Sequence, residues 1–218
     1  MEPGIIVVFI AIAIAGVVVS AVIAHRRREA MRRAAAGLGL RFNPGRDKML
    51  AKQYRFLDKL RRGSNRYAFN ILSGKYRNYD VTAFDYHYKT GSGDSEHHHY
   101  ISFFMLTLSA AFPELKIGPE KFFSKVAQAF GYDDIDFESH EFSRRFCVRS
   151  PKKKFAYDIC NAQMIEYLLA NDDLTIEIEN CVLAMSFDKR LSPEQIERNL
   201  NRLIEVRSLM PDYLFNRR

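Results

Sequence analysis

Three consecutive histidines, His97, His98 and His99, are the residues of this sequence best suited to chemistry. Successive side chains of a strand point to opposite faces, so His97 and His99 share a side and can present two imidazoles to one metal ion. Glu96 adds a carboxylate oxygen beside them. The predicted metal site is His97, His99 and Glu96, and no other cofactor is implied. Thr90-Gly91-Ser92-Gly93 suggests a phosphate loop, but such loops lead into a helix N-terminus and this one joins two strands. The acidic run from Asp133 to Glu141 lacks the glycine and distal glutamate of a calcium loop. Cys147, Cys160 and Cys181 have no zinc or redox spacing. With no nucleophile elbow either, the residues lean away from an enzyme.

The histidines need a strand pair to hold them. Tyr67, Phe69 and Ile71 alternate with Ala68, Asn70 and Leu72, the period of a strand. Arg77-Asn78 reads as a two-residue turn, since Asn tolerates positive φ. YDVTAFDYHYK returns as a second strand, TGSGDSE forms a tip, and HHHYISFFMLTLSA is a third strand. A helix is predicted from Pro119, with Phe122, Val126 and Phe130 buried and Gly131 closing it. FSRRFCVRS reads as a strand and residues 156–169 as a helix. TIEIE and CVLAMSF read as a hairpin turning near Asn180. Ser192, Pro193 and Gln195 form a capping box that opens a last helix with Ile196, Leu200, Leu203, Val206 and Met210 inward. No strand–helix–strand unit has a Gly-rich first turn, which argues against a doubly wound nucleotide fold. The fold class is α+β, with a mainly antiparallel sheet and flanking helices.

Ahead of that domain lies IIVVFIAIAIAGVVVSAVIA, Ile5 to Ala24, without a charge. As a helix at about 1.5 Å per residue it reaches about 30 Å, the depth of a hydrocarbon core, and is predicted as a single transmembrane helix. Arg26, Arg27 and Arg28 follow at once. The positive-inside rule then leaves the N-terminus outside and the remainder in the cytoplasm of a single-pass protein of the plasma or inner membrane. The predicted organisation is 1–4 external tail, 5–24 span, 25–62 basic helical region and 63–218 cytosolic domain. Met31, Ala34, Ala35 and Leu38 continue the helix as one apolar stripe, and a second basic helix is predicted from Arg46 to Leu60.

The chain of 218 residues carries a formal charge of +7. Fourteen Lys or Arg between Arg26 and Arg66 face only Glu29, Asp47 and Asp58, whereas the rest is slightly acidic. A nucleic-acid partner needs a basic face on the folded domain, so this distribution argues against one. It points to a lipid bilayer with anionic headgroups, met by Arg26, Arg27, Arg28, Arg32 and Arg33.

RRREAMRRAAAGLGLRF, FDYHYKTGSG, DIDFESHEFSRRFCV and TIEIENCVLAMSF with LSPEQIERNL together resemble a family of uncharacterised prokaryotic single-span membrane proteins. The resemblance implies an anchored domain and carries over no functional residue. The expected function is a non-enzymatic interaction or assembly module lying against anionic lipid, with an unidentified membrane or cytosolic protein as a further partner. The alternative is a membrane-associated, metal-dependent enzyme using the His97/His99 tip.

Overall fold

The computed structural model describes residues 3–120 and 134–216, without the side chains of 3–9, 11, 13 and 94. Helix α1 runs Pro3–Gly37. Strands β1 (Arg41–Asn43), β2 (Ser64–Tyr76), β3 (Tyr79–Thr90) and β4 (His97–Pro119) pair in sequence order, all antiparallel. Short helices α2 (Lys48–Gln53) and α3 (Asp58–Arg61) lie between β1 and β2. After β4 come α4 (His140–Arg145), β5 (Phe146–Arg149), α5 (Lys153–Ile159), α6 (Ala162–Ala170), β6 (Thr175–Phe187) and α7 (Ile196–Ser208). Both β5 and β6 pair antiparallel with β4. The chain is thus an α+β fold with a mainly antiparallel sheet and flanking helices.

Side chains of the sheet alternate between two cores. Leu72, Ala83, Phe104 and Met185 meet α1 through Met31 and Ala35, and α7 through Ile196, Leu200, Leu203 and Val206. On the other face Ile71, Phe84, Phe103 and Ala184 are covered by Ala51, Leu57 and Leu60 from the α2–α3 segment. Arg77 and Asn78 both have positive φ, +47° and +70°, between the paired Tyr76 and Tyr79, which is the predicted tight turn.

The hairpin predicted from TIEIE and CVLAMSF is one strand, because β6 pairs antiparallel with β4 on both sides of Asn180. Asn180 has φ +53° and the register against β4 shifts there, so the predicted turn is a bulge that bends a continuous strand. The bend brings Glu177 to Asp58 and Asp188 to the adjacent Lys59.

Other predicted elements differ. The helix predicted from Arg46 to Leu60 is two helices, because Leu57 at an extended φ/ψ must enter the second core. The helix predicted over 156–169 is broken at Asn161, which caps α6 by accepting the Met164 N–H at 3.0 Å. Phe142 to Arg145, predicted as strand, belong to α4, capped by Ser139. Ser192 bonds Glu194 instead of a backbone N–H, and the first turn is 3₁₀. Pro119, the predicted start of a helix, ends β4, while Phe122, Val126, Phe130 and Gly131 of that helix, and Asp133 of the acidic run, lie outside the described residues.

The membrane span is corrected. Among the described residues no helix is long and apolar enough to cross a membrane. From Ile14 to Gly37, α1 is charge-free only as far as Ala24, about 16 Å at about 1.5 Å per residue and about half a hydrocarbon core. Its second half carries Arg26, Arg27, Arg28, Glu29, Arg32 and Arg33, and buries Met31 and Ala35 against the domain. The single-pass, inner-membrane placement falls with the span.

Candidate functional site

The polar residues that organise this protein sit on β3, on the face that α1 crosses. Asp85 is fully buried. Its Oδ2 accepts from Arg27 Nη2 at 3.0 Å and from Asn70 Nδ2 at 2.8 Å. Its Oδ1 accepts the Leu191 N–H at 2.6 Å, and Arg27 Nη2 also donates to the Leu191 carbonyl at 2.7 Å. A buried carboxylate tolerates removal from water only with such donors. Asn70 reaches it because β2 bulges there: φ is +50°, and the pairing with β3 slips between Phe69 and Leu72. One carboxylate therefore ties α1, β2, β3 and the segment before α7 together.

Two residues on, His87 repeats the device. It is almost wholly buried, and burial holds its pKa below the ordinary histidine value. A second bulge of β2, with Asn65 at φ +46°, turns the Asn65 carbonyl toward His87 Nδ1 at 3.1 Å. On the other side His87 Nε2 lies 2.9 Å from His98 Nδ1. Tyr67 stacks on the His87 ring at 4.6 Å and Tyr100 packs at 5.0 Å. Guanidinium groups cap this row, Arg46 at 4.6 Å from the Tyr67 ring and Arg190 at 3.8 Å from the Tyr100 ring.

The structure separates the predicted metal trio. Glu96 lies on the His98 face, 3.3 Å from His98 Nε2 and 2.7 Å from Lys89 Nζ. His99 sits on the opposite face, stacked at 4.6 Å on Tyr88 with Nε2 2.7 Å from Thr90 Oγ1. His97 is exposed. Among the described residues, the group of three whose ligand atoms could meet one ion is Glu120, Asp134 and Cys147. Burial pushes the Cys147 thiol up to about 12, which disfavours the thiolate a metal needs, and Asp134 Oδ1 already accepts two backbone N–H groups.

The predicted lipid-facing arginines divide. Arg26, Arg28 and Arg33 are exposed, and Arg32 makes an exposed pair with Glu29 at 3.0 Å. Arg27 turns inward to Asp85. Before them on α1, Val17, Val18, Val19, Val22 and Ile23 are all exposed, Val17 to 70%.

Under α3 lies a buried ionic group. The Asp58 N–H donates to Glu177 Oε2 at 2.7 Å, and Lys116 Nζ lies 3.0 Å from Asp58 Oδ2. Burial, reinforced by the Asp58 charge, holds the Glu177 carboxyl above its usual range.

Asp85, His87 and Asn70 escaped the sequence reading, although FDYHY does place an acid and a histidine on one side of an aromatic strand. No family model matches the chain, and no curated protein matches its sequence. A solved structure, the mycobacterial trehalose monomycolate transport factor A, TtfA, is similar in fold. Its TM-score is 0.59 at 12% identity, covering 85% of this chain and 95% of that one. The likeness is one of fold.

Proposed function

We propose that this protein is a non-enzymatic interaction and assembly module whose working element is α1. The observation that carries the reading is the division of its arginines. Arg27 fastens the helix to buried Asp85, which leaves Arg26, Arg28 and Arg33 exposed around the point where α1 leaves the domain. The exposed valines and Ile23 continue from there. An exposed apolar run of this size marks an interaction surface. Its cationic flank fits an anionic one, and the headgroups of anionic lipid are the partner we put first.

The test is binding of the full chain to vesicles of phosphatidylcholine with and without phosphatidylglycerol. The reading expects salt-sensitive binding to the anionic vesicles that weakens when Arg26, Arg28 and Arg33 are neutralised.

A further inference from the structure

We infer that His87 and His98 form a binding site for a divalent, imidazole-preferring metal ion such as Zn²⁺, Ni²⁺ or Cu²⁺, bridging His87 Nε2 and His98 Nδ1. The argument starts from what the outer nitrogens face. The Asn65 oxygen is a carbonyl and only accepts, so His87 Nδ1 carries a proton toward it. Glu96, whose pKa Lys89 pulls down, lies 3.3 Å from His98 Nε2 and as a carboxylate only accepts, so the His98 tautomer with its proton on Nε2 satisfies both groups. When both outer nitrogens donate outward, the two inner nitrogens face each other as lone pairs at 2.9 Å, an arrangement that a metal cation can bridge.

The surroundings are those of metal-binding histidines. Such rings present their second N–H to a backbone carbonyl or a carboxylate, which fixes tautomer and orientation. His87 has the carbonyl and His98 the carboxylate. Zinc–nitrogen distances of about 2.0–2.1 Å in tetrahedral geometry separate two ligand nitrogens by about 3.3 Å. The observed gap needs to open by only a few tenths of an ångström. Tyr67 and Tyr100 hold the His87 ring, while His98 is about half exposed, so water can complete the coordination. Burial holds the His87 pKa below the ordinary histidine value, which favours the neutral ring that a metal needs. Lys89 and Arg46 oppose a cation here, and Glu96 offsets Lys89. These charges make the site one of modest affinity.

This site is distinct from the predicted His97, His99 and Glu96 arrangement, and the histidines tell the two apart. Full-length protein, purified without an immobilised-metal column, is titrated with ZnCl₂ and NiCl₂ by calorimetry in two buffers of different ionisation enthalpy. We expect one equivalent bound, with the same affinity in both buffers, and weaker binding as pH falls. His98→Ala should weaken binding at least tenfold while its melting profile shows a folded protein. His87→Gln is the second variant, and His97→Ala and His99→Ala should bind as the parent does. No binding by the parent at millimolar metal overturns the inference. So does retention of full affinity in His98→Ala, or its loss in His97→Ala or His99→Ala.

Discussion

Arg27 Nη2 sits 3.0 Å from Asp85 Oδ2, joining the long N-terminal helix to the middle of the sheet through a carboxylate with no access to water. The pair makes α1 part of the domain and determines which of its arginines remain outside.

Removing Arg27 leaves Asp85 buried with two of its three donors. Arg27→Ala should cost about 1.5–3 kcal/mol, the range for a hydrogen bond to a charged group. Chemical denaturation measures it. A change below about 0.5 kcal/mol, the ordinary value for a surface substitution, would show that the pair holds nothing.

Asn70 and Asn180 share a left-handed backbone but not a duty. Asn180→Ala should destabilise by about 1 kcal/mol and Asn180→Gly should be nearly neutral, because only the backbone matters there. Asn70→Gly keeps the backbone and loses the amide that faces Asp85, so it should cost more than Asn180→Gly. Equal costs for the two glycine variants would contradict the role given to the Asn70 side chain.

Glu177 has a folded-state pKa above its unfolded value, so the folded chain holds its proton more tightly. Its contribution to stability is fully present below the unfolded pKa and is lost as pH rises through the folded one. Glu177→Gln keeps an acceptor for the Asp58 N–H and removes the titration. Denaturation at a series of pH values above about 4.5 should show a less negative slope for the variant. An unchanged slope would remove Glu177 as the source.

The three cysteines should react in a fixed order. Cys181 is exposed, whereas burial raises both Cys147 and Cys160. A disulfide reagent at pH 8 should label one thiol rapidly and the other two only on unfolding. Rapid labelling of two or three would mean that the core is open around β5 or α5.

The sequence carried the meander, the Arg77-Asn78 turn and the apolar stripe of the last helix, because each depends on local spacing, whereas the hairpin read at Asn180 is a bulge in one strand that pairs with β4 on both sides of it. It hid the breaks at Leu57 and Asn161, where burial in a distant core and a side-chain cap override a continuous helical pattern. The histidine tip was legible as a tip, but pairing across β3 decides which imidazole has a partner, and His87 stands eleven residues before His98 in the chain. Arg27 looked like its neighbours Arg26 and Arg28. Only the fold distinguishes it, through an aspartate 58 positions away.

The central claim is that exposed arginines at the root of α1 meet an anionic surface. The most direct measurement compares the full chain with the Arg26→Gln, Arg28→Gln, Arg33→Gln triple variant in co-sedimentation with vesicles of phosphatidylcholine and phosphatidylglycerol. At about 1 kcal/mol per cation, the triple variant should bind on the order of a hundredfold more weakly at low salt. The parent should approach it as salt rises from 0.1 to 1 M and the screening length falls from about 10 Å to about 3 Å. Equal binding by both proteins, or equal binding of the parent to vesicles lacking phosphatidylglycerol, would contradict the account.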